Sequence, residues 1–354
     1  MKKRQRFFAM ILVMVMAFCL TACGSSGSSS GSSSGSTSGT ASSGGDEKQY
    51  TLKLSHYRAQ GSPADVDANT FADRVNELDS SVNVDIYPAA QLGDYTTVQE
   101  LVSEGDVDMQ MATLSTSVDK LLGITSAPYI CSSWDEAKKI FGHDSTFTAM
   151  IDEHLQDQNI KMLAVYPLYF GGMILNDEPK DPADLSKNQG YKVRCQTMKG
   201  AELVTDMLGY IATPMALSDC FTALQTGVID GMIGSGAEGY YSSYRDVAKY
   251  YLPYNDHFEV WYLYINMDKW NSMTSKQQEA LQTAATEMED ARWKVAPTQT
   301  DEYVQKLKDY GVTVIDFSDD EIKAFNDKCQ ETVWPQLTEY YGQDAVDLVN
   351  SLKK

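Results

Sequence analysis

Cysteine and histidine are scarce in this chain, six and four among 354 residues. No CxxC pair occurs. Cys131, Cys195, Cys220 and Cys329 are widely spread, and His56, His143, His154 and His257 show no HExxH or triad-like spacing. That pattern speaks against a zinc site and leaves no readable nucleophile–base pair. The four cysteines read as mostly free, buried thiols, because a core of this size does not depend on disulfides. Basic residues are also in deficit: 29 Lys and Arg face 49 Asp and Glu, a net charge of −20. Nucleic acid and anionic membrane surfaces both call for a basic face, so neither is an expected partner. An anionic ligand would have to be held by local geometry, with little help from long-range attraction. The apolar stretch Phe7 to Phe18 covers about a dozen residues, too few for a membrane-spanning helix.

Lys2, Lys3, Arg4 and Arg6 precede that stretch, and the combination matches a secretory signal peptide. It ends in Leu20-Thr21-Ala22-Cys23, which resembles the bacterial lipobox, where cleavage leaves the cysteine N-terminal and its sulfur lipidated. Removing the four basic residues takes the charge from −20 to −24. Residues 24–45 are Gly and Ser apart from Thr37, Thr40 and Ala41. Such a stretch buries nothing and forms a flexible tether with a span of roughly 26 Å. The expected location is the outer face of the bacterial cytoplasmic membrane, periplasmic or extracellular, with membrane contact through the lipid on Cys23 alone.

The remainder alternates strand-like and helix-like segments, the mark of an α/β fold. Strands are expected at Tyr50–His56, Val82–Tyr87, Val107–Ala112, Lys161–Tyr166, Gly172–Leu175, Tyr191–Cys195, Val228–Ile233 and Phe258–Met267. Helices are expected from Ser62-Pro63, over Tyr95–Glu104, about Met198–Leu208 and about Ser218–Thr226. Thr274-Ser-Lys-Gln277 reads as a capping box opening a helix of about 30 residues toward Leu307, kinked at Pro297. Asp319–Leu352 is again helical in pattern. Two sheet-building halves imply two lobes, with the long helix spanning both and a ligand site outside strand ends or between lobes.

Several stretches together resemble the solute-binding proteins of tripartite ATP-independent periplasmic (TRAP) transporters. They are Leu52-Lys-Leu-Ser-His56, the turn Tyr87-Pro-Ala-Ala-Gln-Leu-Gly-Asp94, the strand Tyr191-Lys-Val-Arg194, and the block Pro214-Met-Ala-Leu-Ser-Asp219, Phe221–Gln225 and Gly227–Gly231. The resemblance covers nearly all of residues 50–350. It implies a periplasmic-binding-protein-like clamshell closing over a small organic acid, with multi-spanning permease subunits as partners and no cofactor. The expected division is 1–22 signal peptide, 23–48 lipidated cysteine and tether, 49–168 plus 259–300 lobe I, and 169–258 plus 301–354 lobe II.

Arg194 matches the family's carboxylate clamp. Independently, an arginine ending a buried strand sits where ligands collect, and its planar fork can hold both oxygens of a carboxylate. Tyr57 and Thr113, just past the first and third strands, and Thr197, Leu217 and Ser235 in the matching blocks complete the candidate ligand contacts, with Tyr169 and Phe170. Two departures matter. A second arginine common in the family falls on Gly171–Gly172, and an asparagine falls on Gly234. With those anchors missing and Tyr169 and Phe170 beside one gap, a monocarboxylate with a bulkier or more apolar body is expected in place of a dicarboxylate.

Gly234-Ser-Gly-Ala-Glu-Gly239 is formally GxGxxG, with Asp256 at a ribose-binding distance in sequence. The tyrosines that follow, and the extracytoplasmic setting, weigh against a dinucleotide enzyme. The expected protein is not an enzyme. The alternative within the same fold is a ligand-sensing surface lipoprotein that does not transport.

Overall fold

The computed structural model of the chain describes residues 48–353. Cys23, the signal-like segment and the Gly/Ser stretch lie outside the described residues. The strands are β1 (Tyr50–Ser55), β2 (Val82–Tyr87), β3 (Met109–Ala112), β4 (Ile160–Phe170), β5 (Gly172–Leu175), β6 (Lys192–Cys195), β7 (Ile211–Pro214), β8 (Gly231–Ser235), β9 (Tyr250–Leu252), β10 (Phe258–Asn266) and β11 (Thr313–Val314). They form two sheets, ordered β2-β1-β3-β10-β4 and β11-β9-β5-β8-β6-β7. The fold is α/β and two-lobed, one sheet to each lobe.

β1 lies parallel to β2 and β3, as expected of strands joined by crossover helices. β10 inserts antiparallel between β3 and β4, returning the chain to the first sheet after the second is built. All nine residues of β10 are buried, which explains its run of Phe, Val, Trp, Tyr, Leu and Ile without alternation. Its partner β4 is an 11-residue strand that also crosses toward the second lobe.

The long helix is Ser275–Tyr310, 36 residues. Its start follows from local chemistry: the Thr274 hydroxyl accepts from the Gln277 N–H at 3.3 Å, and the Gln277 side chain accepts from the Thr274 N–H at 3.0 Å. Pro297 stays inside it, and Gly311 in the left-handed region (φ +106°) ends it. The helix packs on β4 and the helix Pro63–Leu78 in one lobe, then on Ala237–Gly239 and β11 in the other.

The last segment differs from the single helical stretch expected. It is three helices, Asp319–Thr332, Trp334–Tyr341 and Gln343–Leu352, separated where Pro335 cannot continue a ladder and where Gly342 takes φ +98°. The final one packs on the helices Trp134–Phe141 and Thr146–Gln156. Cys131, Cys195, Cys220 and Cys329 are all free and buried.

Candidate functional site

β1 is followed by His56-Tyr57-Arg58, and β2 by the turn Tyr87–Asp94. Two backbone bonds tie these ends together: Ala89 N–H donates to the Arg58 carbonyl (2.8 Å) and Ala90 N–H to the His56 carbonyl (3.1 Å). Both alanines take the left-handed region (φ 54° and 56°), which disfavours a residue with a Cβ and marks a turn fixed by its surroundings. Asp94 closes the turn by capping the helix Tyr95–Glu104. A cleft of about 360 Å³ opens here. Tyr57, Arg58, Ala89, Ala90 and Asp94 line one side from the first lobe; Leu217, Phe221 and Tyr244 line the other from the second.

Two buried guanidinium groups lie near this cleft, and Arg58 lines it. Arg194, on β6, is 2 % exposed. Its Nε donates to the Met215 carbonyl (3.0 Å) and its Nη1 to the Ile233 carbonyl (3.4 Å). Among the described residues no carboxylate lies within ion-pair distance of it. Arg58, 3 % exposed, is charge-paired: its Nε lies 3.2 Å from the Glu238 carboxylate and its Nη2 donates to the Tyr169 hydroxyl (2.8 Å). Its guanidinium also rests over the rings of Tyr57, Tyr169 and Trp261 at 5.4–5.8 Å. Burial works against the Arg58 charge, but Tyr169 and Glu238 outweigh it and raise its pKa above the ordinary value. Burial pushes the Tyr244 phenol up to about 12, and Arg194 and Arg58 both oppose that shift. Both cations therefore act on the same wall of the cleft.

The glycines explain themselves through what occupies their missing side chains. A Cβ on Gly239 would lie 2.5 Å from Arg58 Nη1, and one on Gly236 would lie 2.4 Å from the Tyr169 ring. One on Gly234 (φ +98°) would strike the Gln196 amide at 2.3 Å, and one on Gly171 the His257 imidazole at 2.2 Å. The GxGxxG stretch is thus a set of seats for side chains arriving from other elements. It leads into three α-helical residues, Ala237–Gly239, that continue as the π-helical Tyr240–Tyr244, and its glycine seats are taken by Gln196, Tyr169 and Arg58. Gln196 fills the volume beside Gly234, and His257 the volume beside Gly171.

His257 itself is buried between two carboxylates. Nδ1 lies 2.6 Å from Asp256 Oδ2 and Nε2 lies 3.2 Å from Glu259 Oε2. Burial disfavours its charge, but Asp256 and then Glu259 prevail and push the imidazole up to about 10. Glu259 continues the chain, accepting from Trp261 Nε1 (2.8 Å) and, at 3.5 Å, from the Tyr57 hydroxyl in the cleft wall.

Of the candidate contacts, Tyr57 and Leu217 line the cleft directly, and Arg194 is buried beneath it, bonded to the Met215 carbonyl two residues before Leu217. Thr113 is buried just past β3, and Ser235 is buried on β8, its N–H donating to the Tyr240 hydroxyl (3.3 Å). Thr197 is exposed, its carbonyl accepting from Thr116 (3.5 Å). Tyr169 points into the core to reach Arg58. Phe170 packs edge-on against Trp134 and Phe258 and lines a different cavity with Tyr129 and Cys131. Neither ring supplies the apolar face expected of it in the Tyr57–Leu217 cleft. Arg58 and Glu238 escape the sequence reading. Arg58 directly follows Tyr57 at a strand end, and that position was the available signal.

The family model for DctP, bacterial extracellular solute-binding protein, family 7, matches residues 54–339. The C4-dicarboxylate-binding periplasmic protein DctP of Rhodobacter capsulatus is 24 % identical over 306 residues, 85 % of this chain and 90 % of that protein. Among solved structures, the sugar acid binding protein DctPAm from Advenella mimigardefordensis in complex with galactonate superposes with a TM-score of 0.80 at 19 % identity, covering 87 % and 99 % of the two chains. A TRAP periplasmic solute-binding protein from Sulfurospirillum deleyianum with bound succinate gives 0.77 at 19 % identity, covering 86 % and 99 %. Two lobes, a cleft where their strand ends meet and a family match over most of the length converge: this chain belongs to the family-7 bacterial extracellular solute-binding proteins.

Proposed function

We propose that the cleft captures an organic acid bearing one carboxylate, with Arg194 as its anchor, and that the protein delivers it unchanged to the permease while tethered through lipid on Cys23. The observation that carries this is the buried Arg194 guanidinium with two carbonyl acceptors and no carboxylate within reach among the described residues. A buried charge without a counter-ion costs several kcal/mol, and a ligand carboxylate offsets that cost with paired, charge-assisted bonds. The local pairing supports a single carboxylate. Arg58 stands beside Glu238 and His257 between Asp256 and Glu259. Of these three cations, Arg194 alone has no carboxylate within ion-pair distance among the described residues. Tyr57, Leu217, Phe221 and Tyr244 give the ligand body apolar faces.

Relatives of this fold hold either a monocarboxylate such as galactonate or a dicarboxylate such as succinate, so the choice falls to this chain's own residues. A ligand touching both lobes favours the closed form and shifts the population toward it, which gives the permease a state to recognise. The test is calorimetric titration with acids that differ only in having one carboxylate or two, on the wild type and on Arg194→Lys. The monocarboxylate is expected to bind more tightly. Arg194→Lys is expected to weaken it at least tenfold, about 1.4 kcal/mol, with little change in apo melting temperature. Sub-micromolar succinate or malate with no monocarboxylate binding would overturn the assignment, as would full affinity in a less stable Arg194→Lys protein.

A further inference from the structure

We propose that the Arg58–Glu238 ion pair sets how many negative charges the cleft accepts, and that neutralising Glu238 turns the site toward dicarboxylates. The inference rests on Arg194 being the first carboxylate site, as above. Arg58 lines the cleft from the end of β1, and Glu238 meets it from the turn after β8, lining a separate small cavity with Tyr169, so the pair is assembled from both lobes. Arg58 cannot swing out to choose its own partner. Three aromatic rings surround its guanidinium, the Tyr169 hydroxyl accepts from Nη2, and Gly239 lacks the Cβ that would displace it.

Arg58 lines the cleft, and Arg194 bonds the Met215 carbonyl two residues before the cleft-lining Leu217; only Arg194 is uncompensated, because Glu238 is itself buried at 7 % exposure beside Arg58. Screening by solvent is weak at such burial, so the carboxylate cancels most of the Arg58 field. What Arg58 retains is hydrogen-bonding capacity: five N–H donors, of which one serves Tyr169 and the Nε side faces Glu238. A compensated guanidinium with spare donors suits a neutral oxygen. The ligand class is therefore a monocarboxylate carrying a hydroxyl or carbonyl away from the carboxylate, and a second carboxylate there would meet Glu238 unfavourably.

The experiment uses two matched pairs, galactonate with galactarate and 4-hydroxybutyrate with succinate, titrated calorimetrically into wild type, Glu238→Gln, Arg58→Gln and the double variant. In Glu238→Gln the dicarboxylate-to-monocarboxylate affinity ratio is expected to rise at least tenfold. In Arg58→Gln it is expected to fall, and in the double variant to return to within threefold of wild type. A folded Glu238→Gln whose ratio stays within twofold, while it still binds the monocarboxylate, overturns the inference and leaves the Arg194 assignment standing. Should Glu238→Gln not fold, an Arg58→Gln protein with an unchanged ratio overturns it equally. If wild type binds neither pair, the reading of the cleft falls and this inference with it.

Discussion

His257 carries its charge where water scarcely reaches, held between Asp256 and Glu259. Its pKa in the folded chain, pushed up to about 10, lies above the ordinary value of 6.5, so protonation favours the native state. That contribution is complete below about pH 6.5 and is lost as pH rises through about 10. The wild-type melting temperature should therefore fall between those limits. His257→Gln should be less stable at pH 6, because it leaves two buried carboxylates without a cation, a loss of about 3–5 kcal/mol, and its pH profile should be flatter. Parallel profiles for the two proteins would refute this. At the same scale, Arg194, Tyr57 and Leu217 are legible in the sequence because strand ends and family blocks mark them. His257 and Gln196 are not, since nothing in a linear string shows which side chain will occupy the volume left by Gly171 or Gly234. Arg58 illustrates the same limit: a charged residue after a strand reads as solvated until three aromatic rings from distant segments close around it.

Among the elements, the long helix shows most clearly how local chemistry fixes a boundary. Thr274 and Gln277 satisfy each other's backbone donors at its start, as their spacing indicates. Thr274→Ala should cost about 1 kcal/mol and lower the melting temperature by about 2 °C, with ligand affinity retained. A loss of affinity at unchanged stability would mean the helix start is coupled to the cleft. The helix continues past Pro297, where the missing N–H and the ring's clash with the preceding turn are tolerated because packing on both lobes secures each half. Short strands are another matter. β9 and β11, three and two residues long, carry no period that a sequence can display, and only pairing with β5 and with each other defines them. β10 is plain in the sequence as an apolar run, but its antiparallel place between β3 and β4 is a tertiary outcome.

For the whole molecule, alternation of strands and helices is enough to announce an α/β chain with two sheets. The sequence is less informative about the end of the chain, where Pro335 and Gly342 divide one helical pattern into three and turn the last piece onto Trp134–Phe141. The proposed anchor also belongs to this scale. Cys23→Ser should release the protein from membranes into the medium, or leave it with its signal segment uncleaved. Unchanged membrane retention of that variant in cell fractionation would refute lipid attachment at Cys23.

Trp261 is fully buried, its indole N–H held by Glu259, with its ring 4.5 Å from Tyr57 and 5.4 Å from the Arg58 guanidinium. Tyr57 forms the cleft wall, so an indole sealed from solvent stands one ring away from any bound acid. The molecule thereby carries its own optical probe. Ligand entry should alter the emission intensity or wavelength of this tryptophan through the changed field at Tyr57 and Arg58. Trp261→Phe should abolish that change while the other four tryptophans keep their signal, making binding readable by fluorescence without any attached label.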